Sequence, residues 1–198
     1  MSRRDLDFLL YEWLAVETLF ARERYADHDR DTADALLDLA EELATGRFAG
    51  HNRAADLEEP TFDGTRVTVH PDVGPALAAF ADAGFLAATL DEAVGGHQLP
   101  ATVASACMAW FQAANAGTAG YALLTQAAAN LLAAHGTPEQ VEHWLRPMLE
   151  GRFHARWRSR SPTPARTSPT SPRGRNRRTT AATGSSARRC GSPAATTS

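Results

Sequence analysis

The stretch Gly136-Thr137-Pro138-Glu139-Gln140-Val141-Glu142-His143-Trp144-Leu145-Arg146-Pro147-Met148-Leu149-Glu150-Gly151-Arg152-Phe153 decides how the chain is read. Apolar helical patterning fills the sequence before it and vanishes after it. Gly136 fits the left-handed position that closes one helix, and Thr137 reads as the cap of the next, with Pro138 at the first helical position and Gln140 completing a capping box. Val141, Trp144, Leu145 and Met148 recur at helical spacing and give one apolar stripe. Pro147 is expected to kink or end that helix near Arg146, and Gly151 suits its stop.

The charge distribution draws the same border. All 23 acidic residues lie within residues 1–154 beside 10 Arg, a net charge of −13, whereas residues 155–198 carry the other 10 Arg and no acid, a net charge of +10. The overall −3 describes neither part. An apolar content of 43% across 198 residues is enough for a sizeable core. Every one of the 20 basic side chains is Arg, which points to GC-rich coding sequence rather than to selection for nucleic acid. Cys107, in an apolar helical pattern, and Cys190 cannot build a disulfide framework or a metal cluster and suit a reducing compartment. Carboxylates interrupt the first residues where a signal peptide needs an apolar run, and no stretch of about 18 apolar residues follows. A soluble cytoplasmic protein is expected.

Upstream of the border, Leu6, Leu9, Leu10, Trp13, Val16 and Phe20 predict one amphipathic helix. Leu36, Leu37, Leu39, Ala40 and Leu43 predict a second, running on through Phe48 toward Leu57, capped by Asp31 or Thr32, with its Asp and Glu residues on a solvated face. Glu58 to His70, with Pro60, Asp63-Gly64 and alternating Val67 and Val69, predicts a loop holding a short hairpin. Pro71 opens a helix through Val73, Leu77, Phe80 and Ala81 that Gly84 closes, and Leu90 to Pro100 is a loop around Gly95-Gly96. Two Ala-rich, nearly uncharged helices follow, Ala101 to Phe111 and Thr118 to Ala134, broken around Asn115 to Gly120. Helices so apolar all round are expected at the centre of the fold. The fold class is therefore all-α, a bundle of about six helices. After His154 there is no Leu, Ile, Val, Met or Phe, and Trp157 is the one large apolar side chain, so a disordered tail is expected over 155–198.

Phe85 to Pro100 (Phe-Leu-Ala-Ala-Thr-Leu-Asp-Glu-Ala-Val-Gly-Gly-His-Gln-Leu-Pro) and Gly136 to Gly151, in that order, resemble the amino-terminal helical domain of the acyl-CoA dehydrogenases. The first resembles the family's turn, acidic loop and paired glycines, the second its Gly-Thr-x-Glu-Gln helix ending in Leu-x-Pro-x-Leu-x-x-Gly. The likeness covers residues 1–154, divided as 1–30, an amino-terminal extension helix like that of the branch containing 3-methylmercaptopropionyl-CoA dehydrogenase, and 31–154, the helical domain. It implies an enzyme of three parts, of which only the first is present. In the family FAD lies between the β domain and the carboxy-terminal helical domain, where a glutamate removes the α proton of the thioester as hydride leaves the β carbon. Electrons then pass to an electron-transfer flavoprotein-type acceptor, and members are homo-oligomers. No catalytic or cofactor-binding residue of this chain can be assigned, and the chain is expected to be inactive and to retain no FAD. Tyr121, Leu123, Leu124 and Ala127 lie where the family's central helices wall the acyl cavity and are the substrate-pocket candidates; ordinary core packing is the alternative for each.

The tail extends the likeness in another reading frame. Restoring one base after His154 permits Gly-Thr-Met-Ala-Leu-Ser-Glu-Pro-His-Ala-Gly over Ala155 to Ala165. The same frame permits Leu-Ala-Asp-Ile over Thr167 to Ser171 and Gly-Thr-Lys-Met-Trp-Ile-Ser-Gly-Gly-Asp-His over Ala187 to Thr197. The first and last resemble successive motifs of the family's β domain. A single-base frameshift also accounts for the Arg, Pro, Ser and Thr bias and the missing acids.

Other readings carry less. His28, His51, His70, His97, His135, His143 and His154 show no ligand spacing, so no metal is expected and surface or capping roles are. Glu41-Glu42 and Glu58-Glu59 are adjacent carboxylates that point apart and read as solvated charges. Gly95-Gly96 lacks the preceding strand and the spacing of a dinucleotide loop and reads as a turn. The tail's Arg residues are scattered among Pro and Ser without aromatic interleaving, which argues against a nucleic-acid binder. Two rivals stay open: a non-enzymatic helical module that docks a partner through bare apolar surface, and a nucleic-acid binder acting through the basic tail.

Overall fold

A computed structural model describes residues 1–155, whose regular structure is helical apart from one hairpin. The expected all-α class is what it shows. The expected disorder and frameshift concern a tail that, beyond Ala155, lies outside the described residues.

The amino-terminal stripe does not form one straight helix. Helix α1 (Arg3–Asp7), capped by the Ser2 side chain, winds on as a π-helical segment, Phe8–Trp13, and then breaks. Ala15 takes a left-handed φ of 45°, and α2 (Glu17–Phe20) starts beyond it. A π turn holds more residues than an α turn, so the stripe drifts off the core. Leu9 and Trp13 end up exposed, while the reversal at Ala15 brings Val16 back beside Leu6 and Leu10. Val16 amide donates to Leu10 carbonyl (2.9 Å) across the break.

Helix α3 (Arg30–Leu43) is capped by Asp29, ahead of the expected Asp31 or Thr32. The Asp29 carboxylate accepts from both the amide and the hydroxyl of Thr32, each at 2.7 Å. Its acidic face is only partly solvated. Arg3 reaches Asp7, Asp34 and Asp38, Tyr11 donates to Asp34 (2.8 Å), and the Arg30 guanidinium lies 4.0 Å from the Tyr11 ring centroid. This network fastens the amino-terminal segment across α3, and it is absent from any local sequence pattern because Arg3 and Asp34 are far apart in the chain.

The second apolar pattern continues as expected, though not as one α-helix. A π-helical segment (Ala44–Phe48) and a 3₁₀ turn (Ala49–His51) lead into α4 (Asn52–Leu57). Strands β1 (Thr61–Phe62) and β2 (Val67–Thr68) form the expected hairpin, antiparallel with Thr61 opposite Thr68. Asp63 closes its turn by accepting from the Thr65 and Arg66 amides. Helix α5 (Val73–Asp82) ends at Gly84, left-handed at φ 78°. Short 3₁₀ turns at Phe85–Ala87 and Glu92–Val94 then lead to α6 (Ala101–His135).

The core forms where α3, α5 and the first half of α6 converge. Phe111 sits at its centre, its ring centroid 5.0 Å from Phe48, 4.8 Å from Phe80 and 5.2 Å from Phe85, in edge-on arrangements that suit aromatic quadrupoles. Cys107 is fully buried beside it, and burial pushes its thiol up to about 12, so it is a packing residue and not a nucleophile. A smaller cluster of Leu90, Ala129 and Leu145 pins the carboxy-terminal end.

The stretch from Gly136 to Phe153 holds its capping box and changes its other details. Thr137 amide donates to Gln140 Oε1 (2.9 Å) and Gln140 amide to Thr137 Oγ1 (3.3 Å), opening α7 (Pro138–Gln140). Gly136 is extended (φ −72°, ψ 149°), not left-handed. Glycine is needed there for another reason: a Cβ would stand 2.5 Å from the Leu132 carbonyl oxygen. The expected kink at Pro147 is absorbed upstream by a π-helical turn, Val141–Leu145. Pro147 then falls in the first turn of α8 (Arg146–Leu149), where a missing amide proton costs little. Leu145 is buried, but Trp144 has left the stripe and packs against Phe153, ring centroids 5.9 Å apart. Gly151, left-handed at φ 71°, ends the helix as expected.

Candidate functional site

Helix α6 contains no Asp, Glu, Lys or Arg in 35 residues. Its expected break takes the form of a single residue outside helical space, Asn115 (φ −159°, ψ 90°), inside an otherwise continuous helix. The Asn115 side chain makes this break possible. Its Oδ1 accepts from the Thr118 amide (3.0 Å), as a cap does for a new helix, and its Nδ2 donates to the Phe48 carbonyl (3.2 Å). A neutral amide that both donates and accepts is the group that can be buried here with its bonds made.

Beyond the kink the helix is aimed by polar ties on its inner side. Gln126 donates to the Phe85 carbonyl (2.8 Å), and Thr125 donates to the Tyr121 carbonyl (2.8 Å) while accepting from the Ala155 amide (3.1 Å). Thr118, Ala119, Ala122, Thr125 and Ala129 are buried. The other side is open and apolar: Leu123 is 46% exposed, Leu124 36% and Leu131 62%.

The four pocket candidates are all exposed and do not share one cavity. Leu123 and Ala127 line an uncharged groove of about 460 Å³ with Ala101, Ala104, Met108 and Gln126. Tyr121 lines a separate cavity of about 240 Å³ with Asp56, Glu58, His70, Asn115 and Thr118. Leu124 lines neither and stands on the open face. Core packing, the alternative for these residues, does not describe their surroundings within residues 1–155. The expectation that the second helix is central fails for the same reason.

The sequence profile of the acyl-CoA dehydrogenase N-terminal domain matches residues 30–152. The chain belongs to the acyl-CoA dehydrogenase family. No curated protein matches the chain. Acyl-CoA dehydrogenases are FAD-dependent oxidoreductases, and they are typically homo-oligomeric, use acyl-CoA substrates and pass electrons to electron-transfer flavoprotein. Neither the Gly95-Gly96 loop nor the groove beside Leu123 and Ala127 offers a seat for the flavin pyrophosphate. Gly95 (φ 86°) and Gly96 fold their loop onto itself, with the Gly96 amide on the Asp91 carbonyl (2.9 Å) and no room for a Cβ beside Leu90. These glycines serve the turn, as expected, and open no backbone to a phosphate. The groove beside Leu123 and Ala127 has no cation to meet a pyrophosphate.

Sequence reasoning missed a polar cluster behind the kink. His51 is 2% exposed, which departs from the surface or capping role expected of the histidines. Its Nε2 lies 2.8 Å from Thr118 Oγ1, and its ring stacks on His70, centroids 5.8 Å apart and planes 14° apart. His70 Nδ1 in turn accepts from the Asp72 amide (3.3 Å). Nothing in the spacing of residues 51, 70, 72 and 118 announces this arrangement, which depends on α4, the hairpin stem, α5 and α6 meeting. Among the described residues no group of three His, Cys, Asp or Glu side chains comes together as a metal site, and no helix is long and apolar enough to cross a membrane.

Proposed function

We propose that residues 30–152 are the acyl-chain-side helical domain of an FAD-dependent dehydrogenase that introduces a double bond between the α and β carbons of an acyl-CoA thioester. The observation that carries this reading is the second half of α6: in a member of this family, an uncharged helix leaves Leu123, Leu124 and Leu131 bare. Water around such a face is costly, and an acyl chain or a neighbouring apolar domain removes it. Leu123 and Ala127 supply the wall of the groove, Leu124 stands on the open face, and Tyr121 borders a separate cavity. The domain shapes and dries the acyl site, while flavin and catalytic base come from elsewhere in the enzyme. The branch with the extended amino terminus, a flavoprotein acceptor, homo-oligomeric assembly and a cytoplasmic location belong to the same proposal.

We further read residues 155–198 as β-domain sequence in a shifted frame, so that the chain as written binds no flavin and has no dehydrogenase activity. The coding DNA tests this directly. Adding one base near codon 155 is expected to open a frame with flavin-contact motifs; a closed frame there overturns the reading. Purified chain is expected to be colourless and to reduce no dye with acyl-CoA, and stoichiometric FAD would be decisive against it. The bare α6 face also favours the partner-docking rival. A monodisperse, cooperatively melting chain that selects a single protein partner would support that module over the interrupted enzyme.

A further inference from the structure

We propose that the outer face of the amino-terminal segment, residues 4–14, is an interface that pairs two copies of this chain antiparallel about a two-fold axis through Phe8. The segment is held to the domain from one side only. Leu6, Leu10 and Val16 are buried, Arg3 is tied to Asp7, Asp34 and Asp38, and Tyr11 donates to Asp34. The other side is apolar and bare: Phe8 is 52% exposed, Leu9 36%, Trp13 70% and Leu14 51%. Two unfavourable backbone features put it there. The π-helical turn of Phe8–Trp13 carries Leu9 and Trp13 off the core, and the left-handed Ala15 (φ 45°) folds the chain back so that Val16 is buried while Leu14 is not. Large apolar side chains so close together form a patch, which marks a contact surface where single exposed residues do not.

The charges on this face identify the occupant as a second copy. Arg4, Phe8 and Glu12 line one open groove together with Asp5, Asp7 and Leu9. Arg4 and Glu12 are exposed, stand four residues to either side of Phe8, and have no ion-pair partner among the described residues. A two-fold axis through Phe8 sets Arg4 against the partner's Glu12, Glu12 against the partner's Arg4, and the two Phe8 rings between them. One pattern thereby supplies both sides of an isologous contact. A parallel pairing would instead set Arg4 on the partner's Arg4, like charge on like. Of the remaining carboxylates in the groove, Asp7 is held by Arg3, and Asp5 lies next to Arg4, so each end of the pairing places one arginine between two carboxylates. Trp13 and Leu14 extend the apolar contact beyond Glu12. A contact built on one short segment falls at the low end of interface sizes, so weak, reversible association is expected. It gives the homo-oligomeric assembly proposed above one of its surfaces and depends on neither the flavin nor the acyl site.

Analytical ultracentrifugation of the full chain, from low to high micromolar concentration, tests the pairing. A monomer–dimer equilibrium is expected. Arg4→Glu or Glu12→Arg alone places like charges at both ends of the contact and is expected to weaken the dimer by about tenfold, less so in high salt. The double variant Arg4→Glu/Glu12→Arg rebuilds both pairs in reverse and is expected to recover the unaltered affinity, a rescue that only an antiparallel contact between copies gives. Phe8→Ala, on the axis, is expected to weaken the dimer most. Leu131→Glu, on the bare face of α6, is expected to leave it in place. A chain that stays monomeric over this range overturns the proposal, as do single reversals without effect or a double reversal no better than the singles. A dimer that Leu131→Glu abolishes overturns it equally. The reading frame and the flavin content are measured separately, so either proposal can fail without the other.

Discussion

The two halves of α6 are both Ala-rich and uncharged, yet their surroundings are opposite. Before Asn115, Val103, Ala106, Cys107, Trp110 and Phe111 are buried by α3, α5 and the Phe85 turn; after it, the fully buried positions are small residues, and Leu123, Leu124 and Leu131 face outward. Ala-rich sequence with no charge therefore has two meanings. In the first half it marks a core, and in the second it marks a face left for a ligand or another domain. The difference predicts different responses to the same kind of substitution. Phe111→Ala removes the centre of the aromatic cluster and is expected to cost about 3–5 kcal/mol in denaturant unfolding of this chain. Leu124→Ala is expected to stay within about 0.5 kcal/mol. Comparable losses at both positions would erase the distinction.

The joint between the halves ranks next. Asn115→Ala breaks the cap on the Thr118 amide and strands the Phe48 carbonyl in the core, with an expected loss of about 1–3 kcal/mol. Leu at this position is expected to be worse, since it adds volume without satisfying either group. The same variants should alter the approach of His51 to Thr118, visible in the His51 ring resonances, because the Asn115 cap positions that hydroxyl.

Much of the fold was readable because its signals are local. The capping box at Thr137, the hairpin turn at Asp63-Gly64, the stop at Gly84 and the all-α class each depend on a few neighbouring residues and hold in three dimensions. What was not readable depends on distant partners. Asp34 looks like one more solvated carboxylate until Arg3 and Tyr11 meet it, and His51 looks like any surface histidine until four elements enclose it. The π-helical segments at 8–13, 44–48 and 141–145 shift the phase of apolar stripes that were counted at a constant period. The candidate site was half legible. The sequence marks an uncharged helix, but not which of its leucines remain bare after folding.

On the proposed reading, a frame-restored enzyme would give the open half of α6 a cover. Leu123→Phe fills part of the groove that Leu123 and Ala127 line. A pocket that loses room for one or two methylenes discriminates by about tenfold or more between acyl chains of different length. Activity toward long acyl-CoAs is expected to fall by that factor relative to short ones, with folding stability unchanged. An equal loss for all chain lengths would place Leu123 at a domain contact instead of at the substrate.

The smallest effect concerns the charged ties of the amino-terminal segment, which contrast with the uncharged α6. Burial alone would lower the Arg3 guanidinium, but its bonds to Asp7 and the charges of Asp7 and Asp38 outweigh that and hold it above its ordinary range. Arg3 is thus a fixed cation through all accessible pH, and the network changes only when its carboxylates gain protons. Asp29, at the start of α3, is held below the usual carboxylate range by the hydroxyl and amide of Thr32. A depressed carboxylate stabilises the fold above its unfolded pKa, and that contribution disappears as pH falls through the folded value. Asp29→Ala should therefore lower Tm slightly at pH 7, and the gap to the unaltered chain should close under acid. Asp29 is fully exposed, so added salt should leave most of this difference in place if the short bonds to Thr32 cause it, and should remove it if long-range attraction does.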